Sequence, residues 1–269
     1  MWIKEMFNVE KPIIAMLHLK PLPGDPFYKH GDSMVQVVKQ AKHDLIALQE
    51  GGVDGVLISN EFSLPYQRHM SFVTPAAMAR VIGELMSEIR VPFGVDCISD
   101  GLATIELAAA VNADFVRGTF SGVYVGDGGF YNNDFSHLLR RKAELHLDDL
   151  KMLYFLNPES DMNLDVRELK DIAKSLAFKA QPAGFCISAS AAGEEVSSNL
   201  MRSVRDEIEN VAVFCNTGIR MNTVIDKLND SDGGIVGTTF KKDGDFYKEV
   251  DTNRVKELMK IVKEYRKRL

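Results

Sequence analysis

Nowhere in this 269-residue chain does an uninterrupted apolar run approach the roughly 20 residues needed to span a bilayer. Residues 1–7 lack the basic-then-apolar layout of a signal peptide, so the cytoplasm is the expected compartment. Cysteine is scarce: Cys97, Cys186 and Cys215 lie far apart, without C-x-x-C spacing, within or beside apolar runs. They read as small core residues of a reduced protein rather than as a disulfide or zinc framework. H-E-x-x-H, an EF-hand loop and a G-x-G-x-x-G after a strand are all missing, which removes structural zinc or calcium and a Rossmann dinucleotide site. Net charge is −6 and the lysines and arginines are scattered, so there is no basic face for nucleic acid. With 45% hydrophobic residues the chain has ample core material and no sign of disorder.

What the chain does have is alternation. Short apolar runs at 13–17, 55–58, 92–95, 115–116, 152–156, 184–187, 211–214 and 234–236 take turns with segments of helical period. Met34, Val38, Ala41, Leu45 and Leu48 form one helical stripe, opened by a Ser33–Gln36 capping box. Thr74 and Pro75 are expected to open the next helix as N-cap and first-turn proline, with Met78, Val81, Leu85 and Ile89 on its buried face. A third helix spans 102–111, another carries Val166, Leu169, Ile172 and Leu176, and the last carries Val255, Leu258 and Val262.

Eight parallel strand–helix units predict an α/β fold, a single (β/α)8 TIM barrel, with 1–269 as one domain. An open doubly wound sheet is the alternative, but it would leave long apolar strands at unprotected edges. The one long irregular stretch, 118–135, contains Gly122, Gly126, Gly128 and Gly129. It follows the fourth strand and is expected to hang over the barrel mouth as a lid or subunit contact.

In a TIM barrel the reacting groups stand at the C-terminal ends of the strands. Strand by strand, those ends deliver His18, then Asn60 and Glu61, Asp96 and Asp100, Arg117, Asn157, Ser188 and Ser190, and Asn216. An imidazole, three carboxylates and a guanidinium on one mouth suit general acid–base chemistry, or metal binding with anion recognition. The candidate catalytic set is therefore His18, Glu61, Asp96, Asp100 and Arg117. Structural roles compete with three of them: a hydrogen-bonded strand end for His18, the N-cap of the third helix for Asp100, an ion pair for Arg117. Glu61, Asp96 or Asp100 with waters are oxygen ligands of the kind that suits Mg or Mn.

The last two strand ends, Asn216-Thr217-Gly218 and Gly237-Thr238-Thr239, lie about twenty residues apart, where such a barrel holds a phosphate. Glycine lets the backbone N–H groups approach an anion closely, and the threonines add hydroxyl donors. The candidate substrate-binding set is Asn60, Asn157, Ser188, Asn216, Thr217, Gly218, Gly237, Thr238 and Thr239. Two buried strands ending in ordinary turns would look similar. Lys241 either adds charge to that site or, beside Lys242, faces solvent.

Four ordered segments carry a family resemblance: Ala15-Met-Leu-His18-Leu-Lys-Pro-Leu-Pro-Gly24-Asp25-Pro26, Gly51-Gly-Val-Asp-Gly55, Ser59-Asn60-Glu61-Phe62-Ser63-Leu64-Pro65-Tyr66 and Thr238-Thr239-Phe240-Lys241-Lys242-Asp243-Gly244. Together they resemble the BtpA/SgcQ family over essentially the whole chain, and the Ser-Asn-Glu-Phe-Ser-Leu-Pro-Tyr segment points to the SgcQ branch. The resemblance implies a βα-barrel. On the SgcQ branch it implies a setting among sugar-uptake and sugar-phosphate enzymes, and on the BtpA branch a part in photosystem I accumulation. It lends no catalytic mechanism. Two departures stand out: Gly94-Val95-Asp96 has a carboxylate where relatives usually carry asparagine, and Ile187-Ser188-Ala189 lacks the glycine of a Val-Ser-Gly pattern.

The expected function is acid–base chemistry on a small phosphorylated sugar or sugar-derived metabolite: isomerisation, epimerisation, aldol cleavage or glycosidic-bond cleavage. Glu61 and Asp96 are the expected acid or base, with His18 and Arg117 polarising or orienting the substrate. Further copies of the chain are expected partners, in a homo-oligomer. The rivals are a non-catalytic assembly or regulatory factor and a protein that binds a phosphosugar without turning it over.

Overall fold

The computed structural model describes residues 2–159, 161–189 and 194–269. The chain begins with a short helix, α1 (Trp2–Phe7), and then alternates: β1 (Ile13–His18), α2 (Met34–Gly51), β2 (Gly55–Ser59), α3 (Val73–Leu85), β3 (Phe93–Asp96), α4 (Gly101–Val111), β4 (Phe115–Gly118). A hairpin of β5 (Val123–Gly126) and β6 (Gly129–Asn132) precedes α5 (Phe135–Glu144) and β7 (Lys151–Asn157). Next come β8 (Met162–Asn163), α6 (Leu169–Ala180), β9 (Gly184–Ile187) and α7 (Ser198–Arg205). Last are β10 (Ala212–Cys215), α8 (Val224–Asn229), β11 (Gly233–Val236) and α9 (Thr252–Arg266).

Eight strands run in the order β1-β2-β3-β4-β7-β9-β10-β11 and close through a parallel β1–β11 pair, which makes a TIM barrel. Closure removes every edge, so strands that are apolar on both faces leave no unpaired backbone to water. The two faces of each strand serve different cores. In β1, Ile13, Ala15 and Leu17 pack with the helices outside, while Ile14 and Met16 join Leu57, Phe115, Leu153, Cys186, Phe214 and Ile235 inside.

The N-terminal end of the barrel is plugged by α1. Trp2, Ile3, Met6 and Phe7 belong to the interior cluster, and the Trp2 indole donates to the Ala183 carbonyl at 2.9 Å. Gly55 makes room for this plug, since a Cβ there would meet the Phe7 ring at 2.7 Å. Six residues show too little periodicity to be read as a helix from sequence, and their burial comes wholly from tertiary packing. With one end filled by apolar rings, polar side chains collect at the other.

The expected capping box on α2 is present, and Gly52 closes that helix at φ +88°. The expectation for α3 needs correcting. It starts at Val73 and its N-cap, Phe72, makes no side-chain cap; Thr74 lies buried in the first turn, its N–H on Ser71 O at 3.1 Å. Pro75 is tolerated there because first-turn N–H groups have no intrahelical acceptor anyway.

The stretch 118–135 is not irregular: β5 pairs antiparallel with both β6 and β8, giving a second sheet of order β6-β5-β8. Tyr124 and Tyr131 are buried beneath it. Val166 is another correction; it precedes α6 and is fully exposed. All three cysteines are buried and free. Among the described residues no helix is long and apolar enough to cross a membrane.

Candidate active site

Register and alternation together put one polar layer on top of the apolar barrel interior. His18 pairs with Ser59, and Ser59 with Asp96, so three adjacent strands end at one level. Two residues below them, Met16, Leu57 and Gly94 belong to the inward row, and period-2 alternation therefore turns His18, Ser59 and Asp96 inward as well. The same count brings Arg117, Asn157, Ser188, Asn216 and Gly237 to the inner rim.

A continuous hydrogen-bonded chain crosses this rim. The Arg117 guanidinium donates from Nε to Asp96 Oδ2 at 2.9 Å and from Nη1 to Asn216 Oδ1 at 3.0 Å. Asn216 Nδ2 donates to Ser188 Oγ at 3.0 Å, and the Asn157 side chain brackets the Ser188 backbone, donating to its carbonyl at 2.7 Å and accepting from its N–H at 3.1 Å. Arg117 also lies over the Phe155 ring, 4.8 Å from its centroid. Both members of the Asp96–Arg117 pair are buried. Burial outweighs the guanidinium and raises the Asp96 carboxyl from its ordinary 3.8 to about 6.

Opposite this chain, His18 Nε2 stands 3.8 Å from Glu61 Oε2. Ser59 Oγ donates to the same oxygen at 3.2 Å, and Tyr66 OH reaches the Glu61 carbonyl at 3.0 Å. The His18 ring is 5% exposed and its Nδ1 is buried without a hydrogen-bond partner. Burial is the main cause that lowers the imidazole to about 4, with Glu61 opposing, so His18 is neutral at neutral pH. Phe62 and Phe246 cover the ring at centroid distances of 6.1 and 5.5 Å. Directly after the neighbouring strand β11, a Cβ on Gly237 would meet His18 Cε1 and Nε2 at 3.2 Å.

Several of the candidates serve the architecture. Asp100 is the N-cap of α4: one oxygen accepts from Leu102 N and Ala103 N at 3.1 Å, the other from Met70 N at 2.8 Å. Asn60 is buried and accepts from Ile98 N at 2.8 Å, tying the loop after β2 to the loop after β3. Thr217 Oγ1 accepts from Ala189 N at 2.8 Å, and Thr239 spends its hydroxyl proton on Ile219 O at 2.6 Å. Gly218, at φ +72°, packs where a Cβ would lie 2.4 Å from Glu194 O. Thr238 opens a three-residue 3-10 turn, Thr238–Phe240, directly after Gly237. Lys241 does not face solvent; it is buried against Asp44. Ser190 lies outside the described residues.

Sequence reasoning passed over Ser59, Tyr66 and Glu159. Glu159 is half-buried, and burial raises its carboxyl from 4.5 to about 7, with Arg117 lowering and Glu61 raising it. It stands two residues past the end of β7. Glu159 lies as far past β7 as Glu61 lies past β2, so the rule that found Glu61 would have included it had it been taken as far after β7.

The carboxylates do not fit a divalent ion held in common by Glu61, Asp96 and Asp100. Asp100 is saturated by three backbone N–H groups and Asp96 is committed to Arg117. No group of three or more His, Cys, Asp or Glu able to hold a metal occurs among the described residues.

The BtpA family profile matches residues 9–264. The chain belongs to the BtpA family. The sgc region protein SgcQ of Escherichia coli (strain K12) is 41% identical over 99% of both chains. The photosystem I biogenesis protein BtpA of Synechocystis sp. (strain PCC 6803) is 25% identical over 97% of this chain and 91% of its own. Among solved structures, the (S)-3-O-geranylgeranylglyceryl phosphate synthase of Thermoplasma acidophilum, in complex with its substrate sn-glycerol-1-phosphate, superposes with a TM-score of 0.56 at 14% identity, covering 98% of this chain and 97% of that one. At that identity the likeness speaks to the fold alone. In this BtpA-family barrel, then, the rim constellation has to be read from its own geometry.

Proposed function

We propose that this protein is a cytoplasmic, single-domain TIM-barrel enzyme that acts on a small phosphorylated sugar or sugar-derived metabolite by acid–base chemistry. The observation that carries the reading is the His18–Glu61 contact, a neutral imidazole 3.8 Å from a carboxylate at the barrel mouth. A carboxylate base beside an imidazole held neutral can move a proton and polarise an oxygen without charging the site. Glu61 takes the role of base and His18 that of hydrogen-bond donor to a developing oxyanion. Asp96, whose carboxyl titrates near 6, is the second acid or base, and Arg117 orients an anionic oxygen. This division suits isomerisation, epimerisation, aldol cleavage or glycosidic-bond cleavage. The phosphorylated end is assigned to the β10, β11 and β1 side of the mouth. A barrel synthase of the same fold, in complex with a glycerol phosphate, supports that ligand class by analogy.

The test is a thermal-shift series that pairs each sugar phosphate with its unphosphorylated parent. A specific ligand at 100 times its Kd stabilises the native state by about 2.7 kcal/mol. The reading expects a phosphorylated compound to raise Tm while its parent does not. Equal shifts for both, or none for any pair, would remove the phosphorylated substrate.

One observation favours a second reading, an assembly or regulatory factor. The β6-β5-β8 sheet carries Val125, Phe130 and Met162 exposed on its surface, with Phe130 at 64% and Met162 at 69%. Such a surface suits a protein partner or another copy of this chain in a homo-oligomer, and one relative is a biogenesis protein. Retained function in a Glu61→Gln variant would favour this reading over catalysis.

A further inference from the structure

Where the end of β1, helix α2 and the turn after β11 meet, there is a cavity of about 310 Å3. Four lysines line it: Lys20, Lys241, Lys242 and Lys248. Two carboxylates, Asp44 and Glu249, and the His18 ring share its wall. The volume is at the low end of small-molecule sites, which run to roughly 1,000 Å3.

Lys241 is the unusual member. It is 1% exposed, yet among the described residues its Nζ meets a single acceptor, Asp44 Oδ2 at 3.5 Å. An ammonium has three donors, and leaving them unmet in the interior is costly. Another buried lysine of the same barrel looks different: Lys227 Nζ donates to Val196 O at 2.7 Å and has Glu195 Oε2 at 3.6 Å. Asp44 is well served from elsewhere, accepting at Oδ1 from Val250 N at 3.0 Å and from Gln40 Nε2 at 3.1 Å, with His43 Nδ1 at 3.2 Å. Glu249 is paired with Lys242, and Lys248 with Asp243 outside the cavity at 2.6 Å. Lys20 makes no ion pair among the described residues. The wall therefore carries four ammonium groups against two carboxylates, and the deepest ammonium, Lys241, has one long contact to a carboxylate.

We propose that this cavity binds the phosphate group of a small metabolite, seated on Lys241 with Lys20, Lys242 and Lys248 around its rim. For its ligand class the inference rests on the phosphorylated-metabolite reading, and it moves the anion from the Gly218 and Gly237 junction to the far side of β11. A tetrahedral oxyanion offers acceptors in several directions, which suits point-charge ammonium groups converging from separate segments. Burial lowers the Lys241 ammonium below its ordinary range while Asp44 pulls it back, and a bound phosphate would add further negative charge beside it. His18 is common to this cavity and to the Glu61 pair, so a phosphate held here leaves the rest of a small metabolite within reach of the proposed base.

The test is calorimetric titration of the full-length protein with inorganic phosphate, and with acetate for comparison. Saturable phosphate binding is expected, weakened about 10- to 100-fold by Lys241→Gln, the range for losing a charged hydrogen bond. The exposed pair Lys20→Gln/Lys248→Gln should weaken it several-fold, and added salt should do the same. If Lys241→Gln fails to fold because Asp44 loses its cation, Lys241→Gln/Asp44→Asn and the exposed pair carry the test. Equal phosphate affinity in wild type and the lysine variants overturns the inference while leaving the phosphorylated-metabolite reading intact. So does an absence of phosphate binding when a sugar phosphate still raises Tm. Acetate binding as tight as phosphate overturns the phosphate assignment, and a wild type that binds neither phosphate nor any sugar phosphate overturns both readings.

Discussion

His18 and Asp96 should pull stability in opposite directions over the same pH range, and each can be unmasked by removing the other's neighbourly cancellation. In the folded chain Asp96 holds its proton to about 6, whereas an unfolded carboxyl releases it near 3.8. Its contribution is therefore fully present below 3.8 and lost as pH rises to about 6. His18 behaves in reverse: its folded value is lowered to about 4 against 6.5, so its contribution is present above 6.5 and lost as pH falls to about 4. Both side chains are at most 5% exposed, so solvent screening removes little. At about 1.4 kcal/mol for each pH unit between folded and unfolded values, each gap is worth about 3 kcal/mol. Urea unfolding from pH 4 to 7 of wild type, Asp96→Asn and His18→Gln reads both. Relative to wild type, Asp96→Asn should gain up to about 3 kcal/mol as pH rises across the range, and His18→Gln should lose about as much. Other titrating groups drop out of these differences. Two variants that run parallel to wild type, or that diverge from it with the same sign, would refute the burial of these groups at the rim.

Removing the barrel plug should be costly: Phe7→Ala is expected to destabilise by about 3–5 kcal/mol in urea unfolding, and a loss under 1 would show that α1 is not packed in the interior. Gly218→Ala combines a left-handed backbone with a Cβ only 2.4 Å from Glu194 O, and should cost at least ~2 kcal/mol. Wild-type stability in that variant would contradict the packing of this loop against 194–195. Amide exchange over 123–132 should show paired-strand protection at Val123 to Val125, where a disordered lid would exchange freely.

The barrel was readable because parallel strands buried on both faces appear as unbroken apolar runs, and Ser33 with Gln36 announced α2 directly. The rim was readable for a related reason: a position rule finds His18, Glu61, Asp96 and Arg117 once the strand ends are known. Their partners were not. Lys241 is buried by Asp44, 197 residues earlier, and no local pattern carries that information. The hairpin at 123–132 escaped because four-residue strands joined through Gly126 and Gly129 look, in composition, like a loop. Asp100 was ambiguous between acid and helix cap, since both roles ask for an aspartate just after a strand and before a helix. Three backbone donors on its carboxylate give it the cap.

On the proposed function, this rim transforms a phosphorylated metabolite with Glu61 as its base. The most direct measurement is to incubate a pool of sugar phosphates with wild type and with Glu61→Gln and follow both by phosphorus and proton NMR. One component should be converted by wild type, and by Glu61→Gln about a hundredfold more slowly or less, the usual range for losing a general base. A pool left unchanged by wild type, or converted at equal rates by both proteins, would contradict the proposed function.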